Sequence, residues 1–328
     1  MTTMAELPVE GVLPDLDGAT AWLNSAPLTP DGLRGRVVVV QFCTFSVHRI
    51  NWLRTVPYVK AWAGKYRDDG LVVIGVHSPE FPFEHDLDKV RSALTGMGID
   101  YPIALDNAFA VWRAFDNAYW PALYFVDAEG RLRHHHFGEE EYVRSEQVIQ
   151  QLLTAAGSAG IGDDLVSVQP DGVSLGADWS ALESPETYVG YARATGFASP
   201  GGLAPDRGRV YEEPRRLRLN QWALSGDWAV QPQLATLNQP GGRLMHRFHG
   251  RDVNLVLGAA AEPVRFQMRI DGAPPRGSSG LDVDEHGAGT VSDERLYQLI
   301  RQDGRIVDRT VEITFLDAGA QAYVFTFG

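Results

Sequence analysis

The feature that most constrains the fold is a run of four valines at residues 37–40, followed by Gln41, Phe42 and Cys43. A run of β-branched residues without polar alternation is typical of a strand buried on both faces, as in a parallel sheet. A short polar loop comes next, and from Ile50 the apolar residues recur at helical spacing. In α/β sheets, a loop between a buried strand and a helix N-terminus is a frequent place for chemistry. The segment therefore predicts an α/β domain with its site near this loop.

The same strand–helix alternation continues to about residue 157. Residues 71–76 form a second apolar run, which predicts a parallel neighbour for the first strand. Helical spacing predicts helices over 86–97 and 142–156, and a turn at Gly130 leads into a hairpin strand. We therefore predict an α/β domain over residues 1–157.

The second half of the chain has a different pattern. Residues 158–184 are rich in Gly, Asp and Ser and predict a linker. Over residues 185–328, short alternating runs are separated by Gly, Asp and Pro turns, which is typical of an all-β sandwich or jelly roll. The predicted strands include 217–219, 228–230, 242–248, 253–257, 264–270, 295–300, 309–315 and 321–327.

Two sets of segments resemble thioredoxin-like proteins of the DipZ and redoxin type. The first is Phe42-Cys43-Thr44-Phe45-Ser46 with residues 50–58, which is similar to their active-site segment. The second comprises residues 185–191, 219–222 and 264–272, which resemble their C-terminal domain, similar to a carbohydrate-binding module. The resemblance implies a thioredoxin-like domain followed by a jelly-roll-like sandwich. It also implies a short N-terminal hairpin formed by residues 13–16 and 21–25, and a cis-proline loop at Pro121.

The chain departs from that family at the residues that carry its chemistry. In a gapless alignment with thioredoxin, the two catalytic cysteine positions fall on Val47 and Ile50, and a two-residue insertion aligns Val47-His48-Arg49 with one cysteine of the closer relatives. The chain has one cysteine, so an internal dithiol–disulfide cycle is excluded. Cys43 is either a lone catalytic thiol or, as we favour, a small buried hydrophobe.

Candidate site residues cluster around the predicted end of the first strand. His48 and Arg49 are candidates for acid–base or anion-binding chemistry, with an altered, solvated loop as the alternative. His77 and Glu80 end the second strand at the same sheet edge. Together with Cys43 these four form the predicted catalytic set. The resemblance implies substrate-binding roles for Thr44, Trp52, Arg54, Trp120, Pro121, His136 and Glu139.

The residues that could form a metal or glycan site also have structural explanations. A pocket lined by His48, His77, Glu80, Trp120 and His136 has the chemistry for a metal, but we expect no metal and no cofactor. In His134-His135-His136 only the outer two share a strand face, so the run is not one ligand set. Trp222 and Trp228 suit either a sugar platform or, as we favour, the core. We expect His246 and His249 on the strand surface.

The net charge of −13 argues against nucleic acid or an anionic membrane as the main partner. The first 13 residues lack the features of a secretory signal, so we expect a cytoplasmic protein. Our preferred function is a diverged thioredoxin-like protein that acts at the former redox pocket, without disulfide chemistry, on a small molecule or peptide. The alternatives are a monothiol oxidoreductase or peroxidase-like enzyme using Cys43, and a non-catalytic scaffold whose sandwich binds a glycan or another partner. A homodimer is left open.

Overall fold

A computed structural model describes residues 6–44, 50–169 and 172–328. Contacts divide the chain into two compact units between Ser174 and Leu175. This boundary falls inside the linker predicted over 158–184. Within the described ranges, no helix combines the length and the apolar character needed to cross a bilayer.

The first unit has the mixed sheet and flanking helices of a thioredoxin-like fold. Its strands are β1 (Gly11–Val12), β2 (Ala21–Leu23), β3 (Val37–Cys43), β4 (Leu71–His77), β5 (Ile103–Leu105), β6 (Ala122–Val126) and β7 (Arg131–Phe137). Its α-helices are α1 (Ile50–Lys65), α2 (Leu87–Gly96), α3 (Ala110–Ala114) and α4 (Tyr142–Ala155). In the sheet the strands lie in the order β1-β7-β6-β3-β4-β5-β2.

The valine-rich strand β3 is central because neither of its faces is exposed. Every residue of β3 is buried. It pairs in parallel with β4 on one side and antiparallel with β6 on the other. Its alternate residues Val38, Val40 and Phe42 pack into one hydrophobic cluster with Val111 and Phe115 of the α3 region. Burial on both sides explains the uninterrupted apolar run in the sequence.

Two short strands differ from the sequence prediction. The predicted N-terminal hairpin is wrong, because β1 pairs with β7 and β2 pairs with β5 at opposite edges of the sheet. Strand β5 is covered by β2 and is therefore not an edge strand. Strands of two or three residues carry too little pattern to specify a partner, so tertiary pairing decides their positions.

The connection after α4 is held against the first unit by one buried carboxylate. Glu146 of α4 accepts hydrogen bonds from Tyr66 Oη at 2.7 Å and from the Val166 N–H at 2.9 Å. Lys65 Nζ lies 3.1 Å from the same carboxylate. Residues around Val166 therefore belong to the first unit rather than to a free linker.

The second unit is a curled antiparallel β-structure around a main hydrophobic core, with a small second cluster formed by Leu217, Ala223 and Met245. Its strands are β8 (Thr187–Tyr188), β9 (Gly208–Tyr211), β10 (Trp222–Val230), β11 (Ala235–Leu237), β12 (Arg243–Phe248), β13 (Asp252–Ala259), β14 (Val264–Ile270), β15 (Ala288–Val291), β16 (Arg295–Arg301), β17 (Arg309–Phe315) and β18 (Ala320–Phe327). The strand order is β15-β14-β17-β12-β10-β11-β18-β13-β16, with β8 beside β18 and β9 beside β10.

The sheet curls along β10, which changes partners part-way. Residues 222–225 pair with β12, whereas residues 226–229 pair with β9 and residues 228–230 pair with β11. Gly226 lies at the change with φ of 94°, and a Cβ there would approach the Gly242 Cα to 2.8 Å. A larger residue would therefore clash where the two halves of the sheet meet.

Several details of this unit correct the sequence prediction. Residues 217–219 are not a strand, whereas β8, β9, β11 and β15 are strands that the sequence did not predict. His246 was expected on the surface, but it has no exposed area. It contacts the rings of Phe325 and Phe327, with centroids about 5 Å apart. It lies on the face of β12 that also carries Leu244 and Phe248, and that face is part of the core.

Candidate functional site

The single cysteine lies at the end of β3 and is sealed from solvent. Cys43 has no exposed area. It is in register with His77 at the end of β4, and the Ser78 N–H donates to the Cys43 carbonyl at 3.2 Å. Burial raises the pKa of the Cys43 thiol well above its usual value, because the low-dielectric surroundings disfavour the thiolate. This geometry gives Cys43 the environment of a small buried hydrophobe, not that of a reactive thiol.

The loop beyond Cys43 holds several predicted site residues. Val47, His48 and Arg49 lie outside the described residues. Thr44, at the near end of the loop, is fully buried, and its Oγ1 has no hydrogen-bond partner among the residues that the structure describes.

His77 is enclosed in the fold rather than open to a pocket. Its side chain is fully buried, and its Nε2 lies 2.8 Å from the backbone oxygen of Glu84. Burial lowers the pKa of His77 to about 4, so the ring is neutral at physiological pH. The Glu84 carboxylate in turn accepts hydrogen bonds from the backbone N–H groups of Glu80 and Phe81, the latter at 2.9 Å. Glu80 itself is half-buried.

Three of the predicted substrate-binding residues do come together. Arg54 of α1 and Glu139, which follows β7, form an ion pair at 3.2 Å, and both side chains are 3% exposed. His136 of β7 lies with its Nε2 2.9 Å from the backbone oxygen of Glu139. Burial raises the pKa of Glu139, and the neighbouring Arg54 partly opposes that shift. The cluster is a buried polar junction between α1 and the end of β7.

The remaining predicted residues are tryptophans and a proline. Trp52 lies in α1, and its side chain has no exposed area. Trp120 is half-buried, with its ring 4.3 Å from that of Trp112. The peptide bond between Trp120 and Pro121 is cis.

The described members of the pocket expected from sequence lie in different surroundings. His77 is enclosed beside Glu84, whereas the half-buried His136 lies against the Glu139 backbone, and His48 is outside the described residues. Across the described ranges, no group of three or more His, Cys, Asp or Glu side chains is arranged to hold a metal ion.

An exposed group of rings at the same end of the sheet was missed from sequence. We define the aromatic patch as Tyr119, His135 and Phe137. Tyr119 and Phe137 are 54% and 38% exposed, and their ring centroids lie 4.7 Å apart. His135 lies at the same distance from Phe137. The alternation of β7 places residues 135 and 137 on one face, a signal that was available in the sequence.

The position of the aromatic patch follows from the strand register. Phe137 pairs with Ala122 at the start of β6, and Ala122 pairs with Phe42, which directly precedes Cys43. The patch and the buried thiol therefore lie at the same end of the sheet, but only the patch is open to solvent.

In the second unit, the tryptophans considered for sugar binding lie in the core. Trp222 and Trp228 have no exposed area. Their Nε1 atoms donate to the backbone oxygens of Thr195 at 2.8 Å and Ser225 at 3.0 Å. Buried indoles with satisfied N–H groups form no surface platform.

Comparison with known proteins places these features in a family. Residues 184–328 match a family model described as a thioredoxin-like C-terminal domain. The protein DipZ of Mycobacterium tuberculosis (strain CDC 1551 / Oshkosh) is 35% identical over 329 residues, which is 99% of this chain and 44% of DipZ. The thiol-disulfide oxidoreductase YkuV of Bacillus subtilis is 30% identical over 141 residues, covering 43% of this chain and 93% of YkuV. The chain belongs to the thioredoxin-like thiol-disulfide oxidoreductase family.

Within this family the chain spans less than half the length of the DipZ proteins that it matches. A solution structure of an oxidised thioredoxin-like protein is 30% identical, covering 44% of this chain and 96% of that protein, with a TM-score of 0.40. These 328 residues contain a single cysteine, which argues against a dithiol role within this part of the family's chain.

Proposed function

We propose that this chain is a thioredoxin-fold binding protein that holds a peptide segment at the former redox end of its sheet, without thiol–disulfide exchange. The observation that carries the proposal is the complete burial of Cys43, the only sulfur that could serve as a thiol nucleophile. The proposal covers this chain and not the additional length present in DipZ.

Thiol chemistry needs an accessible thiolate, and Cys43 offers neither access nor charge. Thiol–disulfide exchange proceeds by attack of a thiolate on a disulfide sulfur through a mixed disulfide. Attack on a peroxide likewise needs a thiolate within reach. Because Cys43 is buried and its pKa is raised, the monothiol and peroxidase-like alternatives are disfavoured by the same geometry.

The aromatic patch supports a peptide as the ligand. Its rings expose apolar faces beside polar atoms of tyrosine and histidine, the combination that is enriched at protein interfaces. Tyr119 and Phe137 are exposed and their rings are in contact, so they offer one continuous apolar surface to a ligand. The Arg54–Glu139 pair beneath this end of the sheet would keep α1 and the end of β7 in fixed positions.

For the second unit we propose a jelly-roll module similar to carbohydrate-binding modules, because its strand ladders are antiparallel and surround a main hydrophobic core. A glycan-binding role is not proposed, since the two tryptophans that suggested it are buried.

Insulin reduction driven by dithiothreitol tests the absence of redox activity. We expect the wild type and Cys43→Ala to leave the uncatalysed rate unchanged, with a two-cysteine thioredoxin as the positive control. An acceleration by the wild type that Cys43→Ala abolishes would show that the buried thiol is catalytic and would refute the proposal.

Peptide selection tests the binding role. Peptides selected from a displayed library on the full chain should bind Tyr119→Ser/Phe137→Ser at least about ten-fold more weakly, a loss of about 1.4 kcal/mol. The matched control is Val143→Ser, which removes a 56% exposed apolar side chain from α4. Equal affinity for the patch variant and the wild type would contradict a ligand at the aromatic patch.

A further inference from the structure

The second unit contains a cavity of about 580 Å³ whose lining is strongly cationic. We define the arginine groove by Arg215, Arg216, Arg218, Arg247, Leu219 and Asp308, which line this cavity. Arg247 comes from β12 and Asp308 directly precedes β17, so the groove lies entirely within one unit. The volume falls within the range of small-molecule sites, about 300–1,000 Å³.

The positive charge of the groove is poorly compensated. Arg247 lies 3.2 Å from Asp308, but Asp308 also lies 2.7 Å from His249 Nδ1, so one carboxylate serves two partners. Arg215, Arg216 and Arg218 are exposed, and their guanidinium groups have no ion-pair or hydrogen-bond partner among the described residues.

Three other arginines of the same unit do have a carboxylate partner. Arg265, Arg295 and Arg309 each lie within 3 Å of an aspartate oxygen. The chain as a whole carries a net charge of −13, so acidic partners are abundant elsewhere in the sequence. Three neighbouring arginines without one form a local concentration of positive charge that an anion would relieve.

The arginine segment is anchored to the fold, so its side chains start from fixed backbone positions. Leu217, between the arginines, is 7% exposed and packs against Ala223 and Met245. The Asn220 N–H donates to the Arg247 carbonyl at 2.8 Å, and the Arg247 N–H donates to the Gln221 carbonyl at 2.9 Å. These bonds tie the segment directly to β12. A site built on an anchored segment loses less conformational entropy on binding than one on a free loop.

We propose that the arginine groove binds a small polyanion that carries at least two phosphate or carboxylate groups. Guanidinium groups bind both kinds of oxyanion through paired N–H···O hydrogen bonds. Three uncompensated guanidinium groups supply more hydrogen-bond donors and more positive charge than one carboxylate can pair with. The half-buried Leu219 provides an apolar contact for the carbon skeleton or ester portion of such a ligand. This site is independent of the aromatic patch and of the proposed peptide-binding function.

Calorimetric titration of the full chain tests the groove. The probes are tripolyphosphate and citrate, with sodium chloride at matched ionic strength as the reference. We expect saturable 1:1 binding of at least one probe, weakening steeply with added salt. Binding of tripolyphosphate alone identifies phosphate chemistry, and binding of citrate alone identifies carboxylate chemistry. No saturable binding of either would overturn the proposal.

Substitution locates the bound anion. The triple variant Arg215→Gln/Arg216→Gln/Arg218→Gln should lose at least about ten-fold in affinity, whereas Arg207→Gln, an exposed arginine outside the groove, should bind as the wild type does. A triple lysine variant keeps the charge but loses the paired hydrogen bonds, so it should bind with intermediate affinity. Unchanged thermal unfolding without anion verifies that each variant folds. Equal binding by the triple glutamine variant and the wild type would contradict the proposed site.

Discussion

At the scale of single residues, burial determines the chemistry of the groups that look reactive in the sequence. Cys43, His77 and His246 have no exposed area, and each is held in its uncharged form. A neutral thiol and neutral imidazoles can stabilise the interior through packing and hydrogen bonds. The neutral thiol is a poor nucleophile, however, and the buried imidazoles cannot exchange protons with solvent.

His246 makes the stability of the second unit depend on pH. Burial lowers its pKa from 6.5 to about 3, so below pH 6.5 the unfolded chain binds a proton that the folded chain excludes. The part of the stability that depends on a neutral His246 is therefore fully present above pH 6.5 and decreases as the pH falls below that value. Between pH 7 and pH 5 we expect a loss of about 2 kcal/mol from this residue, measured by urea unfolding of the full chain.

The variant His246→Gln isolates that contribution. It removes the titrating group, so the loss of stability between pH 7 and pH 5 should shrink by about the same amount. The matched control is His286→Gln, which changes an exposed histidine of the same unit. If His246→Gln retains the pH dependence of the wild type, the buried ring is not its source.

At the scale of elements, the Arg54–Glu139 pair joins α1 to the segment between β7 and α4. The partners are 85 residues apart in the chain and 3.2 Å apart in space. Arg54→Met leaves the Glu139 carboxylate buried and unpaired, which should lower the free energy of unfolding by about 3–5 kcal/mol at pH 7. The deficit should shrink as the pH falls, because protonation then relieves the buried charge.

Two comparisons distinguish loss of the pair from loss of packing. Arg54→Met/Glu139→Met replaces both charges and should recover most of the stability in urea unfolding. Arg67→Met, which breaks an exposed pair with Asp100, should have little effect. A double variant as unstable as the single one would show that packing, not the unpaired charge, sets the cost.

At the scale of the whole molecule, the sequence predicted the elements that carry strong periodic patterns. The valine-rich β3, the parallel β4 and the helix α4 follow from apolar spacing, and the change to alternating runs predicted an all-β second part. The edge positions of β1 and β2 did not follow, because such short strands are placed by pairing. The burial of His246 could have been predicted, because residues two apart in a strand share a face and His246 lies between the apolar residues Leu244 and Phe248 at that spacing.

The candidate site was harder to predict because it depends on distances between remote segments. The family resemblance implied substrate-binding roles for Arg54, His136 and Glu139; the structure places the three side by side, and their role stays a prediction. The sequence did not predict that His77 would be enclosed by Glu84, nor that Tyr119 and Phe137 would form an exposed patch. Side-chain exposure at the end of a sheet is decided by the neighbouring loops, which carry no periodic signal.

Labelling of Cys43 by a thiol reagent tests the central claim most directly, because it asks whether the single sulfur is accessible in the folded protein. The full chain is mixed with 5,5′-dithiobis(2-nitrobenzoate) at pH 8, with and without denaturing guanidinium. We expect one thiol per chain to react at once in denaturant, and the native protein to react only as slowly as its structure opens. Immediate stoichiometric labelling of the native protein would contradict a sealed, structural Cys43 and would restore a thiol enzyme as the better account.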